Sequence, residues 1–479
     1  MKNFLSKIKD WWESVTVFLS YMFGKNSKKV YVKTYDELIN AIADGDKTIV
    51  LENDIDCTEP LSIDKDIHIE GQNHKLYHKG KRVGFAYDET TVSTEFYIAQ
   101  SRIEHKDGTE IKVSEVYPNN VGIYRVKVDD SVKLFDDTAN YINFSCGWTA
   151  YTFPVTKIEG GYLYFKSQGA EYCLDYDYYQ GNHKKFTEFR LLGCSDEAYS
   201  RYIIKVTGGT LTLDWCVLYG GIQCRSGKLD ANYCTFANCS EYAVDSDSKV
   251  EISNTNFSAI WKSVAKVKNA ELNITDCTIL DSNQCRQNCG IIDVEGDTKI
   301  LRNTITNYGS YGIRVGKVKA TTAEECPSVY VEGNHLDTNK PQGAVTDTGA
   351  IYVAANNKQA FIKDNTISNY TGRKNNHAIY CDDGTYNVDV INNVVTDNPT
   401  GYAISCRCAA PGDPSSSTYR GYAGGSPNTN RTIANNVVES GIWFGGSTDM
   451  EDNGCHYYGN IVEENTDYKS KIENVKYSN

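Results

Sequence analysis

The chain has 479 residues, of which 40% are hydrophobic and 23% are charged, and its formal net charge is −13. The hydrophobic fraction is large enough for a substantial core, which excludes a disordered chain. No run of 18 apolar residues marks a membrane-spanning helix. The excess of acidic residues argues against general binding to nucleic-acid phosphates, because such binding needs a positive surface. The composition therefore predicts a folded protein that neither binds nucleic acid nor spans a membrane.

Sixteen cysteines raise the question of the redox compartment. The first 23 residues begin with lysines, but Asp10 and Glu13 interrupt the apolar stretch, and no small-residue cleavage site follows Phe23. This pattern is not that of a signal peptide. We therefore expect a chain that is made in a cytoplasm, with thiols that are mostly reduced and buried.

Residues 1–26 are predicted to form an amphipathic helix that attaches to something. Apolar residues recur at intervals of four and three, the spacing of a heptad seam, and Gly24 then ends the helix. Such a short apolar helix is only marginally stable in isolation, so we expect it to pack against a partner. Three roles stay open, namely self-association, docking on a larger assembly and binding to a membrane surface. The seam residues are Phe4, Ile8, Trp11, Val15, Phe18 and Met22.

The C-terminal half of the chain, over 206–465, is an internal repeat. Ten segments, from LTLDWCVL at 211–218 to CHYYGNIV at 455–462, each end near one apolar anchor. The intervals between anchors begin at 18 residues, between Leu218 and Phe236, and vary upward from there. This pattern indicates a constant coil of about 20 residues that carries loops of different length. We expect the longest loops to line the binding face or to contact a neighbouring subunit. These loops are 319–327, 338–347 and 409–430.

A column of small polar residues lies two positions before each anchor. Side chains stacked in this way can hydrogen-bond along the stack, and Asn also tolerates a left-handed turn conformation. We therefore predict a buried ladder, with the left-handed residues in the same column. Its members are Cys216, Cys234, Thr255, Cys277, Asn303, Asn334, Asn365, Asn393, Asn436 and Asn460.

A second strand recurs about ten residues after each anchor, for example in GIIDVEG, AIYVAA and GIWFGG. Its alternation resembles that of the right-handed parallel β-helix of the pectin-lyase-like superfamily. The stretch from Tyr35 to Ala43, followed by IVLENDI and IHIEG, is similar to the capping helix and first strands of that family. This resemblance implies an all-β, single-stranded right-handed parallel β-helix solenoid. Many activities share this fold, so it does not fix the function.

Five regions follow from these patterns. An N-terminal amphipathic helix precedes the cap and first rungs, and a small β-domain with alternation and Gly-Gly turns is inserted before the main rungs. A short tail follows the last rung. The predicted boundaries are 1–26 for the helix, 30–83 for the cap, 84–205 for the insert, 206–465 for the rungs and 466–479 for the tail.

Outward positions of the second strand form one predicted stripe, charged at one end and aromatic at the other. Such a surface suits a long polysaccharide, because rings stack on sugar faces while charges hold hydroxyls or uronates. The alternative is a solvated face of weak ion pairs. In rung order the stripe contains Asp245, Lys266, Asp293, Arg314, Tyr352, Tyr380, Ser405 and Trp443, with Asp382 and Arg407 as flanking residues. Its predicted substrate-binding residues are Lys266, Arg314, Tyr352, Tyr380, Arg407 and Trp443.

Cleavage of a glycan would need two carboxylates in the stripe. Asp245 and Asp293 are two rungs apart, near the separation of an inverting glycosidase, with Lys266 between them to hold one ionised. A lyase would instead use Lys266 as a base and Arg314 to neutralise a uronate. The candidate catalytic residues are Asp245, Asp293, Glu295 and Asp382.

No metal or other cofactor is predicted, since no cysteine pair has the spacing of a zinc site. Acidic residues such as Asp175, Asp177 and Asp382 could still bind a calcium ion. The resemblance extends to bacteriophage tailspikes, which implies a homotrimeric, tailspike-like receptor-binding protein in the virion. Its partners would be host cell-surface polysaccharide and, through residues 1–26, other tail proteins. The alternatives are a secreted or cell-surface bacterial polysaccharide-degrading enzyme, hydrolase or lyase, and a non-catalytic structural or adhesive β-helix.

Overall fold

The structure is a computed structural model, and parts of the chain lie outside what it describes. The predicted helix over 1–26 and the last seven residues are among those parts. The described residues are 29–45, 48–77, 89–93, 103–104, 110–111, 121–127, 134, 138–146, 149–168, 189–195, 202–239, 241–283, 289–309, 311–316, 325–338, 348–354, 358–370, 376–382, 385, 387–398, 401–408, 431–446, 455–463 and 469–472.

The described chain begins with a strand, a helix and five further strands. Helix α1 starts with a capping box, in which Thr34 accepts from the N–H of Glu37 and the Glu37 carboxylate accepts from the N–H of Thr34. Its apolar face joins the same core as the strands. No helix among the described residues is long and apolar enough to span a membrane. These elements are β1 (Lys29–Val32), α1 (Tyr35–Asp44), β2 (Thr48–Leu51), β3 (Ile55–Asp56), β4 (Leu61–Ile63), β5 (Ile67–Glu70) and β6 (Lys75–Tyr77).

Eight strands between 89 and 195 form a separate antiparallel sheet. Their order in the sheet is β7-β14-β11-β12-β13-β10-β8-β9. This sheet falls within the predicted insert over 84–205, whose boundaries stay a prediction. The strands are β7 (Glu89–Ser93), β8 (Ile103–Glu104), β9 (Glu110–Ile111), β10 (Val121–Lys127), β11 (Thr138–Cys146), β12 (Thr149–Glu159), β13 (Tyr162–Gln168) and β14 (Phe189–Ser195).

The rest of the chain forms short strands in regular succession. They are β15 (Tyr202–Val206), β16 (Thr210–Asp214), β17 (Val217–Leu218), β18 (Gly221–Cys224), β19 (Lys228–Asn232), β20 (Thr235–Cys239), β21 (Val244–Ser246), β22 (Lys249–Ser253), β23 (Asn256–Ile260), β24 (Ala265–Lys268), β25 (Leu272–Thr275), β26 (Thr278–Ser282), β27 (Gly290–Glu295), β28 (Thr298–Leu301), β29 (Thr304–Tyr308), β30 (Tyr311–Val315), β31 (Ser328–Glu332), β32 (His335–Asp337), β33 (Gly349–Val353), β34 (Gln359–Lys363), β35 (Thr366–Ser368), β36 (His377–Cys381), β37 (Val388–Ile391), β38 (Val394–Val395), β39 (Ile404–Cys408), β40 (Arg431–Ala434), β41 (Val437–Val438), β42 (Ile442–Gly446), β43 (Cys455–Tyr458), β44 (Ile461–Val462) and β45 (Lys471–Ile472).

These strands stack into three long parallel sheets, and each coil of the solenoid contributes one strand to each sheet. The predicted all-β solenoid is confirmed. Sheet I is β1-β2-β5-β16-β19-β22-β25-β28-β31-β34-β37-β40-β43. Sheet II is β3-β6-β17-β20-β23-β26-β29-β32-β35-β38-β41-β44. Sheet III is β4-β15-β18-β21-β24-β27-β30-β33-β36-β39-β42-β45.

The core is one column of inward-facing side chains that runs through the whole solenoid. In sheet I, for example, Ile69, Leu213, Ala231, Ile252 and Ile274 pair in register from coil to coil and are all buried. In-register parallel pairing places each apolar residue on its counterpart, so the core grows with every coil. The ten cysteines whose side chains the structure describes are free thiols, and all are buried, as predicted.

The corner between sheets I and II has a fixed design in the ten coils from β16 to β44. Two residues separate the strands at each of these corners. The second is the predicted ladder residue, and from Asn303 to Asn460 each amide oxygen accepts bonds of 2.9–3.0 Å from the preceding rung. The ladder is confirmed.

The location predicted for the left-handed conformation was wrong, because it belongs to the first corner residue and not to the ladder residue. The ladder side chain points inward, and the residue before it makes the bend. Residues of very different type accept it, with φ between 49° and 67°: Trp215, Tyr233, Asn254, Asp276, Arg302, Gly333, Asp364, Asn392, Asn435 and Gly459.

Candidate functional site

Sheet III is the face of the solenoid that is bordered by connections of variable length. The ten corners between sheets I and II from β16 to β44 all have two residues, whereas the connections on both sides of sheet III differ widely in length. The residues from 78 to 201, which include the antiparallel sheet, join sheet II to sheet III, and 409–430 join sheet III to sheet I. Variable loops on a rigid scaffold commonly carry function. Sheet III is therefore the candidate site.

The predicted stripe follows the outward face of sheet III in register. Asp245 pairs with Lys266, Lys266 with Asp293, and Asp293 with Arg314. The row then continues through Tyr352, Tyr380, Ser405, Trp443 and Lys471. Its order is the predicted one, with one further lysine at the end. Asp293, Tyr380 and Ser405 are buried and interrupt the exposed part of the row.

Asp245, at the charged end, lies in a cluster with a tyrosine and an arginine. The Tyr202 hydroxyl donates to Asp245 Oδ2 at 2.7 Å. Arg225 forms an ion pair with the same carboxylate and also reaches Asp247 at 2.8 Å. Burial and the neighbouring carboxylate raise the pKa of Tyr202, so this hydroxyl stays protonated and donates.

Asp293 is held by the next arginine along the row. Arg314 donates from Nε at 3.0 Å and from Nη2 at 2.6 Å, a bidentate arrangement. Burial disfavours the guanidinium charge, but the carboxylate outweighs burial and raises the pKa of Arg314. Lys266 lies between the two paired aspartates, yet its Nζ contacts the Tyr242 hydroxyl at 3.1 Å. Among the described residues, each aspartate is thus neutralised by an arginine rather than by Lys266.

Aromatic rings occupy the other half of sheet III in a continuous run. Tyr311 meets Tyr352 edge to face at 5.0 Å between ring centroids, and Tyr352 meets Tyr380 at 5.4 Å. His377 then contacts Tyr380 at 4.8 Å and Tyr402 at 5.9 Å.

The run ends at a half-buried tryptophan. Tyr402 lies 5.6 Å from Trp443, and Lys471 lies over the Trp443 ring at 5.4 Å. Edge-to-face contacts hold such rings in fixed orientations. Tyr352, Tyr402 and Trp443 are half-buried, whereas Tyr380 is 2% exposed.

Asp382 is the one candidate catalytic carboxylate that lies among these rings. The Tyr352 hydroxyl donates to one of its oxygens at 2.5 Å, and the Tyr380 hydroxyl donates to the other at 3.0 Å. His377, on the same strand as Tyr380, accepts the N–H of Tyr402 at Nδ1 over 3.1 Å. The structure thus brings Asp382 together with the aromatic candidates and places Asp245 and Asp293 in the charged half.

Several predicted residues take less central places. Glu295 is the last residue of β27 and is half-buried. Its side chain lies against Gly316, so a Cβ added to Gly316 would lie 3.2 Å from the Cγ of Glu295. The side chain of Arg407 lies outside the described residues, as do Asp175 and Asp177. Within the described ranges, no group of three His, Cys, Asp or Glu residues is arranged to hold a metal ion.

Sequence reasoning missed four residues that shape the site. Tyr202 and Arg225 hold Asp245, and Tyr311 and Tyr402 complete the run of rings. All four lie outside the row of outward positions by which the stripe was defined. Tyr311 and Tyr402 lie where the chain enters sheet III, three residues before the row residues Arg314 and Ser405. An aromatic residue repeated at that offset is the signal that would have found them.

Two family models match parts of the chain. Residues 220–395 match a family described as a right-handed β-helix region. The chain is a right-handed parallel β-helix. Residues 29–143 of this β-helix protein match a family described as a putative pectate lyase-like adhesive domain. A search of curated protein sequences found no significant match.

Two solved structures match the chain at low sequence identity. One is the Gp54 tailspike of Acinetobacter baumannii bacteriophage AP22 in complex with A. baumannii capsular saccharide, with 10% identity and a TM-score of 0.31. That match covers 96% of this chain and 78% of the tailspike. The other is a glycoside hydrolase, with 10% identity, a TM-score of 0.38 and coverage of 91% and 90% of the two chains.

Proposed function

We propose that this β-helix binds an extended polysaccharide along the outer face of sheet III. The observation that carries the proposal is the run of rings from Tyr311 to Trp443, which follows the axis of the solenoid. Strands in a sheet are about 4.8 Å apart, so the run with Lys471 extends over about 24 Å. A polymer that lies along the axis would meet several coils at once.

The chemistry of the row fits a glycan better than a peptide or a nucleic acid. Tyrosine and tryptophan offer an apolar ring together with a polar tip, which suits a sugar that has both C–H faces and hydroxyls. Asp382, fixed by two tyrosine hydroxyls, is an acceptor for sugar hydroxyls. Lys471 places a positive charge at the end of the same run, over the Trp443 ring.

The finer proposal is that the protein is a tailspike-like receptor-binding protein of a virion. Residues 1–26 would then attach it to other tail proteins, and several copies, three in the commonest arrangement of this class, would bind host cell-surface polysaccharide. The amphipathic pattern of residues 1–26 supports attachment. The family description that matches residues 29–143 includes the word adhesive, which also suits a binding role.

A second candidate function is cleavage of the bound glycan by a polysaccharide-degrading enzyme. The observation that favours it is the position of Asp382 within the aromatic run, because a carboxylate beside a bound sugar can act as an acid or a base. Release of shortened oligosaccharides from a bound polymer would distinguish this enzyme from a protein that only binds.

Binding should be measured on a panel of purified bacterial capsular and O-antigen polysaccharides. Trp443→Ala removes a half-buried ring at the end of the run, and we expect affinity for the bound glycan to fall about tenfold or more. Tyr330→Ala is the matched control, since Tyr330 is half-buried and stacks on Phe361 in sheet I. Equal affinity of Trp443→Ala and wild type would contradict sheet III as the binding face.

A further inference from the structure

Sheet II presents a surface unlike those of the other two sheets. Its outward row pairs in register from coil to coil and contains no Lys, Arg, Asp or Glu between Val217 and Ile461. The row reads Val217, Thr235, Asn256, Thr278, Thr304, His335, Thr366, Val394, Val437 and Ile461, and all but the first two are exposed.

Exposed apolar side chains are concentrated on the same side. Of the ten large apolar residues that are exposed among the described ranges, eight lie on sheet II or next to it. Six are on the sheet or at its corner with sheet I, Tyr219 directly follows β17, and Tyr458 ends β43 of sheet I. None of the ten lies on sheet III. Contiguous exposed apolar surface commonly marks a protein interface. The eight residues are Trp215, Tyr219, Tyr233, Leu280, Val394, Val437, Tyr458 and Ile461.

Two of these residues occupy a conformation that disfavours them. Trp215 and Tyr233 have φ of 56° and 52°, at corner positions where seven of the other eight coils use Asn, Asp or Gly and one uses Arg302. A bulky residue in this left-handed region is strained. Their rings stack at 4.5 Å, yet they stay 42% and 44% exposed. In the monomer this strained pair remains exposed to solvent. Burial of the two rings against another chain would compensate for the strain and explain why these residues occur there.

We propose that sheet II and its corner face other copies of this chain in a homo-oligomer. Net charge favours this occupant, because chains of charge −13 repel each other and approach best where charge is sparse. The row itself has no charge, and of the charged residues beside it Arg302 and Asp276 neutralise each other in an ion pair. The row extends over about 43 Å, and its width of three to four residues gives a footprint of about 500 Å². With the corner residues, this area is of the order of the roughly 800 Å² that each partner buries in a stable interface.

The two remaining sheets fit this role less well. Sheet I carries a lattice of ion pairs, including Lys228 with Glu251 and Lys249 with Glu271. Sheet III is bordered by the connections of variable length and carries the candidate glycan site. A flat face of β-branched residues without long connections at its corner with sheet I packs well against a second sheet. Association through sheet II also leaves sheet III open to a polymer.

The decisive experiment compares two charge insertions in the full chain by sedimentation velocity from about 1 to about 100 μM. Thr304→Glu adds a charge at the middle of the exposed row of sheet II, and we expect it to weaken association at least about tenfold. Thr432→Glu is the matched control, because Thr432 is an outward residue of sheet I. The control should associate like wild type.

Three results would overturn the proposal. They are a wild-type chain that stays monomeric over the whole range, Thr304→Glu that associates like wild type, and Thr304→Glu that weakens glycan binding without changing the mass. The last result would make sheet II a glycan surface instead. The glycan assay tests sheet III with Trp443→Ala, whereas the sedimentation assay tests sheet II with Thr304→Glu. A failure of the proposed glycan site can therefore be distinguished from a failure of the proposed oligomer interface.

A second variant tests the strained corner independently of charge. Tyr233→Asn introduces the residue that the next coil already has at Asn254, where φ is 49°. We expect the melting temperature of the dissociated chain to rise, because strain is relieved, and association to weaken. A lower melting temperature together with unchanged association would overturn the role of the Trp215–Tyr233 pair.

Discussion

The asparagine ladder is the polar part of an otherwise apolar core. Each asparagine from Asn303 to Asn436 is at most 1% exposed. Its amide oxygen accepts from the preceding rung and its amide nitrogen donates to a backbone carbonyl of an earlier coil, as Asn365 does to Val331 at 2.9 Å. Buried polar groups are stable only when their hydrogen bonds are made. The ladder therefore fixes the register of the corner while it satisfies backbone groups that no strand can pair.

Replacement of one ladder residue should be far more harmful in the middle than at the end. Asn365→Ala removes the acceptor of two bonds from Asn334 and the donor to Asn393, so it leaves buried groups unsatisfied. We expect a loss of about 3 kcal/mol in the free energy of unfolding. Asn460→Ala, at the half-exposed last rung, is the control and should lose about 1 kcal/mol. Urea denaturation measures both, and equal losses would contradict the argument.

Sequence spacing predicted the ladder but not the residue that makes the turn. The ladder residues share a chemical type, because a buried position accepts only side chains that hydrogen-bond within the stack. The residue before it in the chain is exposed, and the turn requires of that residue only a positive φ. Trp215, Asp276 and Arg302 all meet it, so residue identity carries little signal there.

At the scale of the strands, the sequence shows the coil but hides one of its sheets. Segments such as LTLDWCVL read as a single unit, although the structure divides this one into β16 and β17. The division is invisible because the corner takes only two residues and the strand after it has as few as two. The intervals between anchors predicted loops of different length. The intervals could not show that the long loops lie on the two sides of sheet III. That position depends on which connection between sheets contains the extra residues, and the intervals give only the total length of each coil.

The ion pairs on sheet I link neighbouring strands and predict a pH dependence. Glu251 in β22 contacts Lys228 at 2.5 Å and Lys249 at 3.1 Å. Partial burial works against the charged carboxylate, but these lysines outweigh it and lower the pKa of Glu251 to about 2. A lowered pKa stabilises the fold above the ordinary value near 4.5, and this contribution is lost as the pH falls toward 2. Asp230 opposes it in part, because burial and Glu251 raise its pKa.

Glu251→Gln should therefore destabilise the protein at pH 7 by no more than about 1 kcal/mol, since the pair is partly exposed and screened. The difference from wild type should shrink between pH 4.5 and 2, as chemical denaturation at several pH values would show. Glu332→Gln in the same sheet is the control. Lys363 lies opposite Glu332 in the next strand, but its ammonium contacts Asp389, and no ion pair of Glu332 occurs among the described residues. A difference that persists unchanged at pH 2 would refute the assignment.

At the scale of the whole molecule, the three sheets have three different surfaces. Sheet I carries ion pairs, the outward row of sheet II is uncharged from Val217 to Ile461, and sheet III combines charges with rings. The row on sheet III was predictable because in-register parallel stacking repeats one alternation in every coil. Its partners were not, because Arg225 and Tyr402 reach the row from neighbouring positions. The surface of sheet II was also not predicted, since an absence of charge stands out only when the rungs are aligned.

These surfaces lead to a prediction for residues 1–26. If sheet II joins the copies and the N-terminal segment attaches to other tail proteins, a chain that starts at Lys28 should keep the oligomeric state of the full chain. Light scattering would measure about 160 kDa for three copies of a 53.5 kDa chain. The truncated chain should give the same number of copies at equal concentration. A truncated chain that is monomeric while the full chain is not would place self-association in residues 1–26 instead, because loss of a segment outside the solenoid leaves sheet II intact.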